Sequence, residues 1–227
     1  MVYRIPGVYL SNNYLFWDEE AGDGKPVDGK PVDGKPVDGK PVDAALIDAA
    51  AEPAVVAEKL AKFNLRLKYI ILTHGHYDHV ACLPELMRAF PEAKAVCMEA
   101  ENETLADPAA NVSRLFVRDI SYPPLRDVIR DGEVLRLGSG EGGELRVIST
   151  PGHTPGSCCL YNSKSRIMFT GDCLFADGGY GRVDFPGGSM RLMAESLHKL
   201  AQYPGDVTIY PGHEGISTIG MELGGAL

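Results

Sequence analysis

The chain has 227 residues, 44% of them hydrophobic and 23% charged, enough apolar material to bury a core and too much for wholesale disorder. A formal charge of −9 disfavours a nucleic-acid or anionic-membrane surface, since phosphate affinity comes mainly from Lys and Arg; a small-molecule substrate is expected instead. No stretch approaches the roughly 20 apolar residues of a membrane span, and the N-terminus MVYRIPGVYL lacks a long hydrophobic region and an A-x-A-like cleavage site, so the cytoplasm is the expected compartment.

In chain order, residues 13–18 (NYLFWD) and 44–48 (AALID) read as strands. Between them the unit Asp-Gly-Lys-Pro-Val occurs four times without substitution from Asp23, closing at Asp43. Each copy carries one charge of each sign, a turn-forming Asp-Gly pair and a proline that cannot donate to a ladder, so the tract cannot build a core. Residues 23–43 are therefore expected to form an enlarged hairpin loop inserted in a single domain spanning 1–227. Its period is far below that of solenoid units.

Residues 53–63, with Pro in the first turn and then Ala, Glu, Lys and Leu, predict a helix, and the apolar run 69–73 predicts a strand. Strand, helix, strand is a βαβ unit whose two strands should run parallel. Residues 81–90 and 99–106 predict further helices flanking a strand at 94–98. From Val134 the grammar changes to short apolar runs (VLRL, LRVIST, CCLYN, RIMFTG) separated by turn signals, as in β-hairpins. Residues 190–200 predict a helix and 207–213 (VTIYPGH) a last strand. The order implies an α/β fold in which two sheets pack face to face between outer helices, an αββα sandwich.

Five cysteines at irregular spacing do not suggest a disulfide framework. The adjacent Cys158 and Cys159 lie in a strand-like run and should point to opposite faces, as reduced core residues.

Chemistry concentrates in the histidines. Of six in the chain, three fall in THGHYDHV, residues 73–80, at the C-terminal end of a predicted parallel strand, a usual place for α/β active sites. His153 in TPGHTPG, Asp172 in FTGDCLF and His213 in YPGHEG occupy other strand-end loops, each directly after a glycine; Gly75 likewise precedes His76. Glycine there is expected to allow tight turns that bring the next side chain inward. His198, on a predicted helix beside Lys199, is expected to be an ordinary surface residue. Nitrogen and carboxylate donors without thiolate pairs suit zinc, iron or manganese, and seven donors exceed one tetrahedral ion but match two.

The run THGHYDH matches the T-H-x-H-x-D-H signature of the metallo-β-lactamase superfamily, and PGHTPGS, TGDCLF and YPGHE follow in that superfamily's order. The resemblance, which covers nearly the whole chain, implies that His74, His76 and His153 hold a first divalent ion, zinc foremost, that Asp78, His79 and His213 hold a second, and that Asp172 bridges. It also implies that Asp48 braces the ligand loop without being a ligand, and that Asp78 and Asp172 take part in catalysis.

GYGRVDFPGGS, residues 179–189, and STIG, residues 217–220, resemble segments of the glyoxalase II-like branch. Tyr180 stands where that branch often has Cys, and Ala81-Cys82 where it has Gly-Gly. The branch implies hydrolysis of acyl thioesters such as hydroxyacylglutathione by a metal-activated water, with Tyr180 and Arg182 facing substrate. The length resembles a compact form without the basic C-terminal region that grips glutathione. Alternatives on the same fold are a mononuclear-iron persulfide dioxygenase using His74, His153 and Asp172, and a lactone or β-lactam hydrolase.

Overall fold

A computed structural model describes residues 1–18 and 40–224. The loop expected at 23–43 thus falls almost wholly outside the described residues. Two six-stranded sheets account for the strands among the described residues. The first, in spatial as in chain order, contains β1 (Val2–Pro6), β2 (Asn12–Trp17), β3 (Val42–Ile47), β4 (Leu65–Ile71), β5 (Lys94–Met98) and β6 (Asp127–Ile129). The second contains β7 (Val134–Arg136), β8 (Glu144–Ser149), β9 (Cys158–Asn162), β10 (Ile167–Gly171), β11 (Thr208–Pro211) and β12 (Ser217–Thr218), also neighbours in sequence order.

The helices are α1 (Pro53–Lys62), α2 (Tyr77–Val80), α3 (Leu83–Ala89), α4 (Glu101–Ala106), α5 (Ser113–Phe116), α6 (Met190–Leu200) and α7 (Ile219–Leu223).

Period-two alternation along the strands separates three cores. Tyr14, Phe16, Ile47, Ile71 and Val96 from the first sheet meet Val147, Cys158, Leu160 and Phe169 from the second in a central layer. Their neighbours Leu15, Leu46 and Ile70 pack outward with Val56 and Leu60 of α1. On the other side Cys159 and Met168 pack outward with Met193 and Leu200 of α6. This is the αββα sandwich, and the two adjacent cysteines do face different layers. The spacing of Val56 and Leu60, and of Met193 and Leu200, gives each helix one apolar stripe; each Leu buried this way contributes about 1.5–3 kcal/mol.

Strands β3 and β4 are parallel, as expected of the βαβ unit, with Ile47 opposite Ile71. Strands β10 and β11 are parallel, and β8 shares their direction because both β8 and β10 run antiparallel to β9. The C-terminal ends of these strands lead into the histidine and aspartate loops. The sheets are tied there: Asn12 N donates to Gly212 O (2.7 Å), Tyr14 Oη to Pro211 O (2.8 Å) and Cys158 N to Thr73 O (2.9 Å).

Three expectations need correction. Strands β1, β6 and β12 are additional to the expected ones, so 207–213 does not hold the last strand; β1, β6 and β12 all lie at a sheet edge, and β6 and β12 are too brief for alternation to declare itself. The helix expected at 81–90 is α3, which starts at Leu83, and a separate short α2 at Tyr77–Val80 precedes the expected range. Pro84 has no N–H to give to Val80, and Cys82 N donates instead to Ala49 O (2.8 Å), so α2 stops and the chain restarts as α3. The strand expected at 69–73 begins earlier, at Leu65, and ends at Ile71, leaving Thr73 in the ligand loop.

Candidate metal centre

The side chains of His74, His76, His79, His153 and Asp172 are buried, and Asp78 and His213 lie at the opening with 13% and 28% of their side chains exposed. Their donor atoms converge in three overlapping groups, each within 4.8 Å: His74, His76 and His153; His74, His79 and Asp172; Asp78, His79 and His213. All seven donors singled out in the sequence therefore meet at one edge, while His198 is exposed on α6. Asp172 lies between the groups, its Oδ2 3.4 Å from His153 Nε2 and its Oδ1 3.3 Å from His79 Nε2.

Each of three rings has one nitrogen held by the protein, which frees the other. His79 Nδ1 is 2.8 Å from Asp48 Oδ2 and His153 Nδ1 is 2.6 Å from the carbonyl of Arg182. His74 Nδ1 is 3.2 Å from Thr73 Oγ1, which lies 2.9 Å from Asp48 Oδ2. With those nitrogens protonated, Nε2 of the neutral ring is a bare donor. The Nε2 atoms of His74, His76 and His153 are buried without any hydrogen-bond partner. Such atoms are costly unless something completes them, and a divalent cation does so; the nitrogen and carboxylate set fits zinc, iron or manganese.

Electrostatics divides the cluster. Burial holds His74 well below the ordinary histidine value and His76 down at about 3. Burial would lower His79 too, but the charges of Asp172, Asp78 and Asp48 prevail and hold it well above. Asp172 is buried, which alone would raise it, yet His79 and the neighbouring rings keep it well below the carboxylate range.

The glycines before the donors serve two ends. Gly152 (φ 144°) and Gly171 (φ 49°) adopt backbone conformations that other residues rarely do. Gly75 and Gly212 do not. They are small because a Cβ at Gly212 would lie within 3 Å of His79 and Asp172, and one at Gly75 would press on Glu101, Thr104 and Leu105. The turn-forming role expected of Gly75 is thus replaced by close packing.

The segment at 179–189 lies beneath the cluster, with Gly181 N donating to Asp172 O at 2.7 Å. Arg182 presents its carbonyl to His153, while its exposed guanidinium pairs with Asp184 (2.9 and 2.7 Å) and lies over the Phe185 ring. Tyr180 is exposed, its hydroxyl 3.8 Å from Met190 Sδ.

Two contributors were not legible in the sequence. Asn12 holds the His213 loop by donating to Pro211 O (2.9 Å) and Glu214 O (3.1 Å). Glu101 binds two ligand loops at once.

Residues 40–213 match the Metallo-beta-lactamase superfamily. The chain belongs to that superfamily. Among superfamily relatives, the hydroxyacylglutathione hydrolase GloC of Haemophilus influenzae is 32% identical over 167 residues, 73% of this chain and 77% of that protein. Among solved superfamily structures, BLEG-1 B3 metallo-beta-lactamase superposes with a TM-score of 0.80 at 26% identity, covering 99% of this chain and 97% of that one. TTHA1623, solved in a di-iron-bound form, gives 0.74 at 26% identity over 98% and 96% of the chains. This superfamily member is thus a metal-dependent hydrolase by family. Among its described residues no helix is long and apolar enough to cross a membrane.

Proposed function

We propose that the protein hydrolyses small acyl thioesters of the hydroxyacylglutathione kind, with one divalent ion held by His74, His76 and His153, a second by Asp78, His79 and His213, and Asp172 between them. The observation that carries this is the complete set of seven convergent donors, three of them buried nitrogens without a partner, in a chain 32% identical to a hydroxyacylglutathione hydrolase. Such ions, zinc foremost and iron or manganese as alternatives, lower the pKa of a coordinated water from 15.7 toward about 7 and polarise a carbonyl.

The chain's own groups supply the orientation. Asp48 fixes the His79 ring through Nδ1 and the Thr73 amide through Oδ1, so the ligand loop enters the site preformed. Asp78 Oδ2, 3.2 Å from His213 Nε2, is ionised: burial would raise it, but His79 and His213 keep it low. It stands at the opening as an acceptor that can orient an attacking water.

Cys82, Cys97 and Cys158 do not compete as nucleophiles, because burial pushes Cys82 to about 11 and Cys97 to about 12 and holds Cys158 well above the thiol range. A thioester needs no strong acid for its leaving group, since a thiolate is stable near neutral pH. Tyr180 and Arg182, exposed on the segment beneath His153, are assigned to the substrate-facing rim. The five free cysteines support a reducing compartment, the cytoplasm.

The test is elemental analysis of protein purified without added metal, followed by assay against S-lactoylglutathione, a wider thioester panel, lactones and β-lactams, with and without a chelator. Thioester hydrolysis abolished by chelation is expected. Oxygen uptake with glutathione persulfide, one bound iron and no thioester turnover would assign the dioxygenase chemistry instead.

A further inference from the structure

Glu101 opens α4 and is 0% exposed, and its carboxylate is neither one of the seven donors nor part of the proposed substrate rim. Its Oε1 accepts from Gly75 N at 2.8 Å, and its Oε2 accepts from Gly156 N at 2.7 Å and from Thr154 Oγ1 at 2.9 Å. Gly75 separates His74 from His76, and Thr154 follows His153. One carboxylate therefore spans the two loops that carry all three histidines of the first donor group.

The fold makes room for this contact. A Cβ on Gly75 would lie 3.2 Å from Oε1, and one on Gly156 would lie 2.5 Å from Oε2 and 2.6 Å from Glu101 N. Both loops thus carry glycine where the carboxylate approaches. A buried carboxylate is costly to desolvate, and burial raises Glu101 above the ordinary value against the pull of its hydrogen bonds. The hydrogen bonds that offset that cost hold the two ligand loops, so what this buried charge secures is their spacing.

We propose that Glu101 is a positioning residue that sets the separation of the His74–His76 loop from the His153 loop and thereby the affinity of the ion these histidines hold. This rests on the metal reading above. Gln is the informative replacement, for it keeps the volume but only one acceptor oxygen. Its NH2 must face a donor, either Gly75 N–H or the Gly156 and Thr154 pair, so one loop is released.

Protein stripped of metal is titrated with Zn²⁺ alone, and His76→Ala identifies which equivalent belongs to the first group. Glu101→Gln should weaken that same equivalent by about tenfold or more and leave the other unchanged. Leu200→Ala, a cavity beneath α6, serves as a destabilised control that lowers Tm without altering either affinity. Unchanged affinity in Glu101→Gln would overturn the proposal, as would equal weakening of every equivalent in both Glu101→Gln and the control. Should Glu101→Gln fail to fold, Thr154→Val removes one donor and must weaken the same equivalent; unchanged binding there overturns the proposal too. Wild-type protein that takes up no Zn²⁺ would instead sink the metal reading, and the clamp with it.

Discussion

Asp48 and His79 share a buried hydrogen bond of 2.8 Å, Oδ2 to Nδ1, and the same carboxylate receives the Thr73 amide at 2.7 Å. The strand end that carries Asp48 is thereby fastened to the loop that carries His74, His76 and His79. Asp48 holds this position at φ 63°, an uncommon conformation for a residue with a side chain, and such strain persists where surroundings over-determine it.

Asp48→Ala should consequently cost about 10–100-fold in metal affinity or turnover, with KM unchanged, because the residue orients a ligand and does not meet substrate. The orphaned Thr73 amide should also lower stability by about 1–3 kcal/mol. Metal titration, steady-state kinetics and denaturant melts on one preparation check both parts.

The two ions proposed should differ in their response to pH. In metal-free protein His74 and His76 are held low by burial and are neutral at pH 7, so the ion they hold displaces no proton from these two rings, and its affinity should depend on pH less steeply than that of the second. His79, held well above 6.5, and His213, raised through Asp78 against its burial, carry protons that a cation must displace. Affinity for the second ion should rise with pH, by up to about one log unit per pH unit for each proton released. The raised values also stabilise the metal-free fold fully below the unfolded histidine value near 6.5, a contribution lost as pH climbs through the folded values. Zn²⁺ titrations from pH 6 to 8 would refute the assignment if the first equivalent carried the steeper slope.

The fold was largely readable because its strands are two-faced and its donors cluster locally: THGHYDH puts four donors within six positions, and the glycine-preceded loops repeat the pattern. What escaped was non-local. Glu101 falls within the helix expected at 99–106 with nothing in the sequence to single it out, and only contacts 26 and 55 residues away reveal its work. Asn12 reaches 199 residues along the chain. Gly75 was legible as glycine but not for the right reason, since its φ is unexceptional and its neighbours forbid a side chain.

Gly212 and Gly215 form a matched pair. A Cβ on Gly212 would lie 2.3 Å from Asp172 Oδ1 and 2.6 Å from His79 Cε1, whereas Gly215 has nothing within 4 Å. Neither requires a positive φ. Gly212→Ala should lose the second ion and nearly all turnover, while Gly215→Ala keeps both; metal content and kcat decide. Equal behaviour of the two variants would contradict the placement of Asp172 against the His213 loop.

Arg182→Ala should leave metal content intact, because His153 leans on its backbone carbonyl and the backbone survives the change. If the guanidinium exchanges its exposed Asp184 partner for a substrate carboxylate, KM for an anionic thioester should rise severalfold with kcat unchanged, and that rise should shrink in high salt. An unaltered KM across the thioester panel would remove Arg182 from the rim.

The pentapeptide tract should be dispensable for chemistry. Strands β2 and β3, which it joins, pair antiparallel with Trp17 opposite Ala44 and Tyr14 opposite Ile47. Ile47 runs into Asp48 and the metal edge, so the ends at Asp18 and Asp43 lie at the other edge, about 16 Å away at roughly 3.3 Å per strand residue. Lengthening a connection between two fixed strand ends costs only about 0.6 kcal/mol per doubling, so one copy should serve nearly as well as four. Deleting three of the four Asp-Gly-Lys-Pro-Val units should leave metal stoichiometry and kcat unchanged. A severalfold fall in kcat, with both ions bound and the circular dichroism spectrum intact, would place the tract in contact with the site or with a partner that the reaction requires.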